Sequence, residues 1–477
     1  MTTNKLIAAV FSVLLCLTLV AAIWRPTTAD PNKTPVVWVS DNNPARTEQI
    51  REFNREHPEA LLTLDYGNMD LQKLVLQCSS GVGPDVMDFG DDQLEVLVQT
   101  GVLLDVTEEA KKRGFSAEKD SWPTAASSMM IDGRQYGYPC NTGANILIYN
   151  KNVFDRFGVP YPKGLLTIDE LIALALKLDT YASEETKPGS MGVHALVGLN
   201  WRVLFEAQKG EFFTESGLPQ LASSAELKRA FQTHKDFIFK HRIMPTTVDA
   251  KAMSGQGGWG AGGLNQFASG NYAMIITGDW ALNAFGRKYL QQTQQLQEDG
   301  LKAEDITDPS KRLLRLGAVL IPRFADLPPS YRVSSRLNGI NARSTRREKA
   351  LEFQQYLAGP EYSRQINETA DFLPGNPKYA DLGVVPGPPD LARVEMQEVT
   401  KEAVNCGYTQ RRSPFILTND VTRTLDEQVS RMESDPSLTV EELVESAQKQ
   451  VDVLLKRNLN RDPRLKELYD QRFGPSK

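Results

Sequence analysis

Short apolar runs alternate along this chain with longer stretches whose hydrophobic positions recur every three or four residues, a pattern of strands interleaved with amphipathic helices. Val36 to Val39 is a β-rich run followed by the polar loop Ser40-Asp41-Asn42-Asn43-Pro44. Arg46 to Glu56 then carries Ile50 and Phe53 in helical spacing and stops at His57-Pro58, where proline cannot continue a helix. Leu61 to Leu64 is the next strand. Strand, helix, strand predicts a parallel βαβ unit.

The same alternation continues. Ile146 to Tyr149 and Leu316 to Ile321 read as strands, the second ended by Pro322. Thr167, three residues before Glu170, predicts a capping box opening a helix with Leu171, Leu174 and Leu178 on its buried stripe. Thr180 to Ser190 is polar and reads as a surface loop, Arg346 to Ala358 as a helix, and Leu438 to Leu455 as a long helix behind Thr439. Gly-rich Ser254 to Gly263 suits either a cleft loop carrying Trp259 or a plain linker.

One stretch concentrates candidate chemistry. Tyr272 to Thr277 is a short apolar run with the length of a buried strand, and it leads into Gly278-Asp279-Trp280. The residues after it predict a helix with Asp279 as N-cap. In an open α/β sheet, ligands sit outside the carboxyl ends of strands. An indole offers a flat apolar plate to a pyranose, and Asp279 can hydrogen-bond its hydroxyls. The same residues equally suit a helix cap and a packing tryptophan.

Length changes the picture. At 477 residues the chain exceeds one ordinary core, so two domains are expected. A net charge of -6 gives no basic surface, which argues against nucleic acid as a partner. Leu6 to Trp24 runs without a charge after a weakly positive start, which predicts an export signal over residues 1–29 or a membrane anchor over 6–24. Cys78, Cys140 and Cys406 lie outside that segment at separations matching no metal site, and no disulfide framework is expected. None of the four histidines belongs to a zinc-hydrolase pattern, and no Gly-x-Ser-x-Gly elbow occurs. No cofactor is expected.

Four blocks carry a resemblance. They are Gly81-Val-Gly-Pro-Asp-Val86 with Thr100-Gly101-Val102-Leu103, then Asp132-Gly133 through Asn150-Lys151, then Phe267-x-x-Gly270-x-x-Ala273-Met274 with Gly278-x-Trp280, and Arg336 to Ser344. Together they resemble the family 1 extracellular solute-binding proteins, the carbohydrate-capturing subunits of bacterial ABC importers, of which maltose-binding protein is the best known. The family commonly has two glycines where Asn338-Gly339 stands.

The resemblance implies an α/β, two-lobe periplasmic-binding-protein fold of type II, each lobe a mixed sheet flanked by helices, with three interlobe crossings. Residues 35–141 and 322–373 would form lobe 1, residues 146–316 and 377–456 lobe 2, and 457–477 a charged C-terminal tail. It also implies ligand contacts. Phe89, Trp280, Trp201 and Tyr408 would stack on a sugar, while Asp41, Asn42, Asp92, Asn141, Gly278 and Asp279 would meet its hydroxyls. The implied role is a monomeric, exported, non-catalytic protein of the periplasm or outer membrane face, delivering a sugar to an ABC transporter permease. Two rivals share these features: a ligand-sensing subunit of a signalling system, and a glycoside hydrolase, which needs only two carboxylates suitably spaced.

Overall fold

The computed structural model describes residues 32–67, 70–180, 192–254 and 261–474. The signal or anchor segment, most of the 180–190 loop and Trp259 lie outside the described residues. Among the described residues no helix is long and apolar enough to cross a membrane.

The first βαβ unit forms as its pattern predicts. Strand β1 (Thr34–Val39) leads through helix Ala45–Glu56 to β2 (Ala60–Asp65), which pairs with β1 in parallel. The helix seats Phe53 against Phe353 and Tyr356. Strand β3 (Val86–Gly90) adds to the other edge of β1, again in parallel. Asp132 and Gly133 both take positive φ, forming the two-residue turn between β4 (Met130–Ile131) and β5 (Arg134–Gln135). The chain then enters β6 (Tyr138–Gly143), and β11 (Ser334–Ile340) completes a five-stranded mixed sheet in the order β2-β1-β3-β11-β6.

A second sheet belongs to the other lobe. Strands β7 (Ile146–Asn150), β8 (His194–Val197), β9 (Tyr272–Thr277) and β10 (Leu316–Val319) order as β10-β7-β9-β8. All six residues of β9 are buried, which is why its sequence is uniformly apolar instead of alternating. Helix Ile168–Ala175 starts on the predicted box, with Thr167 accepting from Glu170 N–H while Glu170 accepts from Thr167 N–H.

Three stretches of chain link the sheets, and they hydrogen-bond to one another. Only Ala144 and Asn145 separate β6 from β7. Thr142 and Leu373 exchange two backbone bonds of 2.9 and 3.0 Å, and the Thr142 hydroxyl meets that of Ser335 at 3.0 Å. Phe372, between these contacts, has φ 65°, an outlier for a bulky side chain. Its ring lies where a Cβ on either Gly143 or Gly278 would fall. Gly143→Ala is therefore expected to cost about 1–3 kcal/mol by overpacking, read as a lower urea midpoint.

The charged C-terminal tail proves to be structure. Helix Val440–Arg461 passes the predicted end, and helix Pro463–Phe473 follows. Tyr469 packs edge-on against Phe415, and Leu465 and Leu468 join Leu455 and Leu459 in that small core. Apolar residues spaced three and four apart within a charged segment were the signal for this helix.

Candidate functional site

The carboxyl ends of β1 and β3 lie on one rim of the first sheet, because the two strands run parallel as neighbours. Two clusters of charged side chains occupy this rim. In the first, Asp88 is buried and accepts from Trp38 Nε1 at 2.8 Å, Ser40 Oγ at 2.6 Å, Asn338 Nδ2 at 2.8 Å and Arg336 Nη1 at 3.2 Å. Arg46, also buried, donates to Asp41 at 2.8 Å, Gln49 at 2.8 Å and Asp371 at 3.0 Å. Burial alone would raise the Asp371 carboxyl, but Arg46 and Arg336 hold it below the usual carboxylate range. Asp85 and Asp88 thus sit inside the protein with donors around them, and are not a solvated acidic face.

The second cluster joins elements of both sheets. Arg332, from the segment between β10 and β11, donates to both oxygens of Asp91 at 2.9 and 3.2 Å and lies 3.9 Å from Glu206. Arg202 donates to Glu206 at 3.2 Å. Asp92, beside them, has its carboxyl raised by burial and by Asp91, with Arg332 and Arg202 pulling it back. Asn145, Val203, Glu206, Ser330, Tyr331 and Arg332 line a small concavity here. Asn145 is exposed within an otherwise buried crossing, so its amide faces this space. Arg412 completes the tie between lobes, donating to the carbonyls of Ser127, Ser128 and Met130 at 3.1, 2.8 and 2.8 Å.

At the carboxyl end of β9 the order Gly278-Asp279-Trp280 forms as a turn, but not as predicted. Gly278 takes the N-cap position, and Asp279 begins a short 3-10 turn that runs into helix Leu282–Glu298. The Asp279 side chain is buried, and its Oδ1 has no hydrogen-bond partner. Burial, reinforced by Asp371, pushes this carboxyl up to about 7. Trp280 stays half-buried, packed against the lobe 2 core with part of its surface open.

The remaining expected ligand residues divide. Asp41 and Asn42 lie exposed on the loop after β1. Phe89 is not available to stack on a ligand: it is 3% exposed, packed with Leu94, Leu97 and Leu337 in the lobe 1 core. Its position on β3 points into the sheet's packed face, which strand parity decides and a motif does not show. Trp201 is likewise core. Its ring packs on Phe231 and Phe212, and its indole N–H donates to Asp426 at 2.9 Å. Tyr408 is turned inward, its hydroxyl donating to the Gly210 carbonyl at 3.2 Å. Asn141 serves the crossings, donating to the Asp371 carbonyl at 2.9 Å. Sequence reasoning passed over Arg46, Arg332 and Arg336, because arginines in a chain rich in charge carry no pattern until the fold gathers them.

Two sheets joined by three bonded crossings, with charged and aromatic groups on the facing rims, define a two-lobe ligand-binding protein. The family description "bacterial extracellular solute-binding protein" matches residues 48–393, and the chain belongs to that family. It is similar to a binding protein of Brucella abortus, at 22% identity over 415 residues, 82% of this chain and 92% of the relative. The fold is similar to that of an ABC substrate-binding protein from Listeria monocytogenes in complex with cycloalternan, with a TM-score of 0.69 at 17% identity. That match covers 89% of this chain and 99% of the other. The sugar-binding protein MalE from Xanthomonas citri also superposes with a TM-score of 0.69, at 14% identity, over 89% of this chain and 98% of its own. The family is one of binding proteins, not of enzymes.

Proposed function

We propose that this protein captures a sugar or oligosaccharide between its lobes on the outer side of the cytoplasmic membrane and delivers it to an ABC transporter permease. The observation that carries the reading is Gly278-Asp279-Trp280 at the carboxyl end of β9, a half-open indole beside a buried carboxyl. A plate of this kind binds the C–H face of a pyranose, while Asn145, Asp92 and Asp41 supply hydrogen bonds to hydroxyls. Specificity follows because a ligand lacking a hydroxyl leaves a desolvated polar group unpaired. The protein acts as an exported monomer without catalytic activity, closing on its ligand by rotation about the crossings.

A thermal-shift panel of mono- and oligosaccharides tests this. A ligand of the folded state at about 100 times its Kd adds roughly 2.7 kcal/mol, so a true ligand raises the midpoint in a concentration-dependent way. Trp280→Ala is expected to weaken the hit by about tenfold or more, the scale of one desolvated aromatic anchor. Unaltered affinity in that variant would remove Trp280 from the site. Release of reducing sugar from the panel would instead indicate a hydrolase.

A further inference from the structure

On the footing that the interlobe cleft is the sugar site, strand register brings the concavity near the second charged cluster close to the indole of Trp280. The pairing of β7 with β9 sets Ile146 opposite Thr277, and continuing that register sets Asn145 opposite Gly278. The pairing of β10 with β7 sets Val319 opposite Leu147, which continues to Ile321 opposite Asn145. Neighbouring strands lie about 4.8 Å apart, so Ile321, Asn145 and Gly278 form one row along the rim of lobe 2. Trp280 follows Gly278 by two residues. Helix Trp201–Glu206 comes after β8 and starts at the same rim, because β8 runs parallel to β9. Asn145, Val203, Glu206, Ile321, Ser330 and Arg332 all line the concavity. It therefore begins one strand spacing from the turn that carries the indole.

Its polar lining is not satisfied from within the protein. Ser330 is 7% exposed, and its hydroxyl has no partner. Arg332 binds Asp91 through Nη2, while its buried Nε–H has no partner and the group stands 3.9 Å from Glu206 Oε1. Glu206 takes Arg202 on that same Oε1, and its Oε2 receives no donor among the described residues. Buried polar groups left unpaired are costly, so this set is built for a visitor. A hydroxyl has one donor and two acceptor lone pairs. It can donate to Glu206 while accepting from Arg332 and Ser330.

Size narrows the choice of hydroxyl. The concavity has space for about one water-sized group, and the exposed side chain of Asn145 leaves it open at one side. A ring hydroxyl stands one bond from its ring carbon, and a pyranose ring is too large to follow it inside. An exocyclic hydroxymethyl group carries its oxygen one carbon further from the ring. Its methylene then meets the apolar part of the wall, Val203 and Ile321.

We propose that this concavity is a subsite for the hydroxymethyl group of a hexopyranose whose ring lies against Trp280, so that the protein selects hexoses over the corresponding pentoses. A pentopyranose lacks that group and leaves Ser330 and Arg332 unpaired. Rejection of an analogue that fails to satisfy buried polar groups is a stronger discrimination than loss of apolar contact alone.

Isothermal titration with matched sugars tests the proposal: glucose with xylose, galactose with arabinose, mannose with lyxose, and the β-1,4-linked disaccharides of glucose and of xylose. Each pair differs only in hydroxymethyl groups. In the pair that binds, the hexose is expected to be about ten- to a hundredfold tighter. The 6-deoxy form of that hexose, which keeps the carbon and loses the oxygen, is expected to bind no better than the pentose. Ser330→Ala, or Asn145→Ala should the first variant fail to fold, is expected to weaken the hexose more than the pentose and bring the ratio toward one. A purely structural role would weaken both sugars alike. A pentose or 6-deoxy sugar binding as tightly as its hexose would overturn the subsite while leaving sugar binding intact, as would a ratio untouched by either substitution in folded protein. No heat from any of these sugars also overturns the subsite, and the sugar reading falls with it only if the wider thermal-shift panel is silent as well.

Discussion

Replacing Arg336 with methionine is expected to cost about 3–5 kcal/mol of stability, the range for removing one partner of a buried ion pair. Arg336 lies on β11, the strand that joins β3 to β6 in the lobe 1 sheet. Its guanidinium reaches Asp88 and Ser40 at 3.2 Å, Tyr362 at 3.3 Å and Asp371 at 3.4 Å. Methionine fills much of the same volume but leaves two buried carboxylates with one fewer cation. The penalty should also depend on pH. The Asp371 carboxyl is depressed in the folded protein, so its contribution is present above the unfolded pKa and is lost as pH falls through the folded value. Removing Arg336 lessens that depression, and the variant's acid unfolding is expected to begin at higher pH. Urea melts of both proteins near neutral pH and in mild acid check both statements. A loss under about 1 kcal/mol would mean that Arg46 alone satisfies the network.

Replacing Asp279 with asparagine is expected to act in the opposite direction. A buried carboxyl raised to about 7 from its ordinary value of 3.8 favours the protonated form in the folded state. The stability linked to that proton is fully present below the unfolded pKa and is lost as pH rises through about 7. At 1.36 kcal/mol per pKa unit the full loss approaches about 4 kcal/mol. Asparagine carries no charge, so the variant should match the parent near pH 4 and exceed it by roughly 2–4 kcal/mol near pH 8. Chemical denaturation across that range distinguishes the outcomes. A parent whose stability does not fall over this interval, or a variant that follows the same slope, would show that the carboxyl is ionised in the folded protein and satisfied by its neighbours.

Both residues bear on how much of this molecule its sequence discloses. Strands β1, β2, β7, β9 and β10 were legible because apolar runs of strand length, bounded by Gly, Pro or polar clusters, admit few other readings. The capping box at Thr167 was legible for a related reason, since a hydroxyl three residues before a glutamate is a local, self-contained geometry. The two-lobe fold followed from four sequence blocks, each a turn or strand end whose glycines the backbone requires; at Gly278 the ring of Phe372 leaves room for nothing larger.

The direction of side chains was not legible in the same way. Phe89 and Trp201 stand at positions where the motif expects ligand contacts, yet both belong to cores. Strand parity at Phe89 and the aromatic neighbours Phe212 and Phe231 at Trp201 decided that, and neither is a local property. The charge network is less local still. Arg46 and Asp371 are 325 residues apart in sequence and 3.0 Å apart in space, and no spacing rule connects them.

What the sequence by itself determined is many of the elements and their order, because hydrophobic period, capping and turn chemistry act over a few residues; the crossings between lobes were implied by the family resemblance. What only the tertiary structure decided is which of the many carboxylates and arginines face one another across the crossings, and which aromatic rings stay open to a ligand. Burial multiplies the strength of each charge it encloses, so the site's chemistry depends on enclosure, which is a property of the packed lobes and of no single segment.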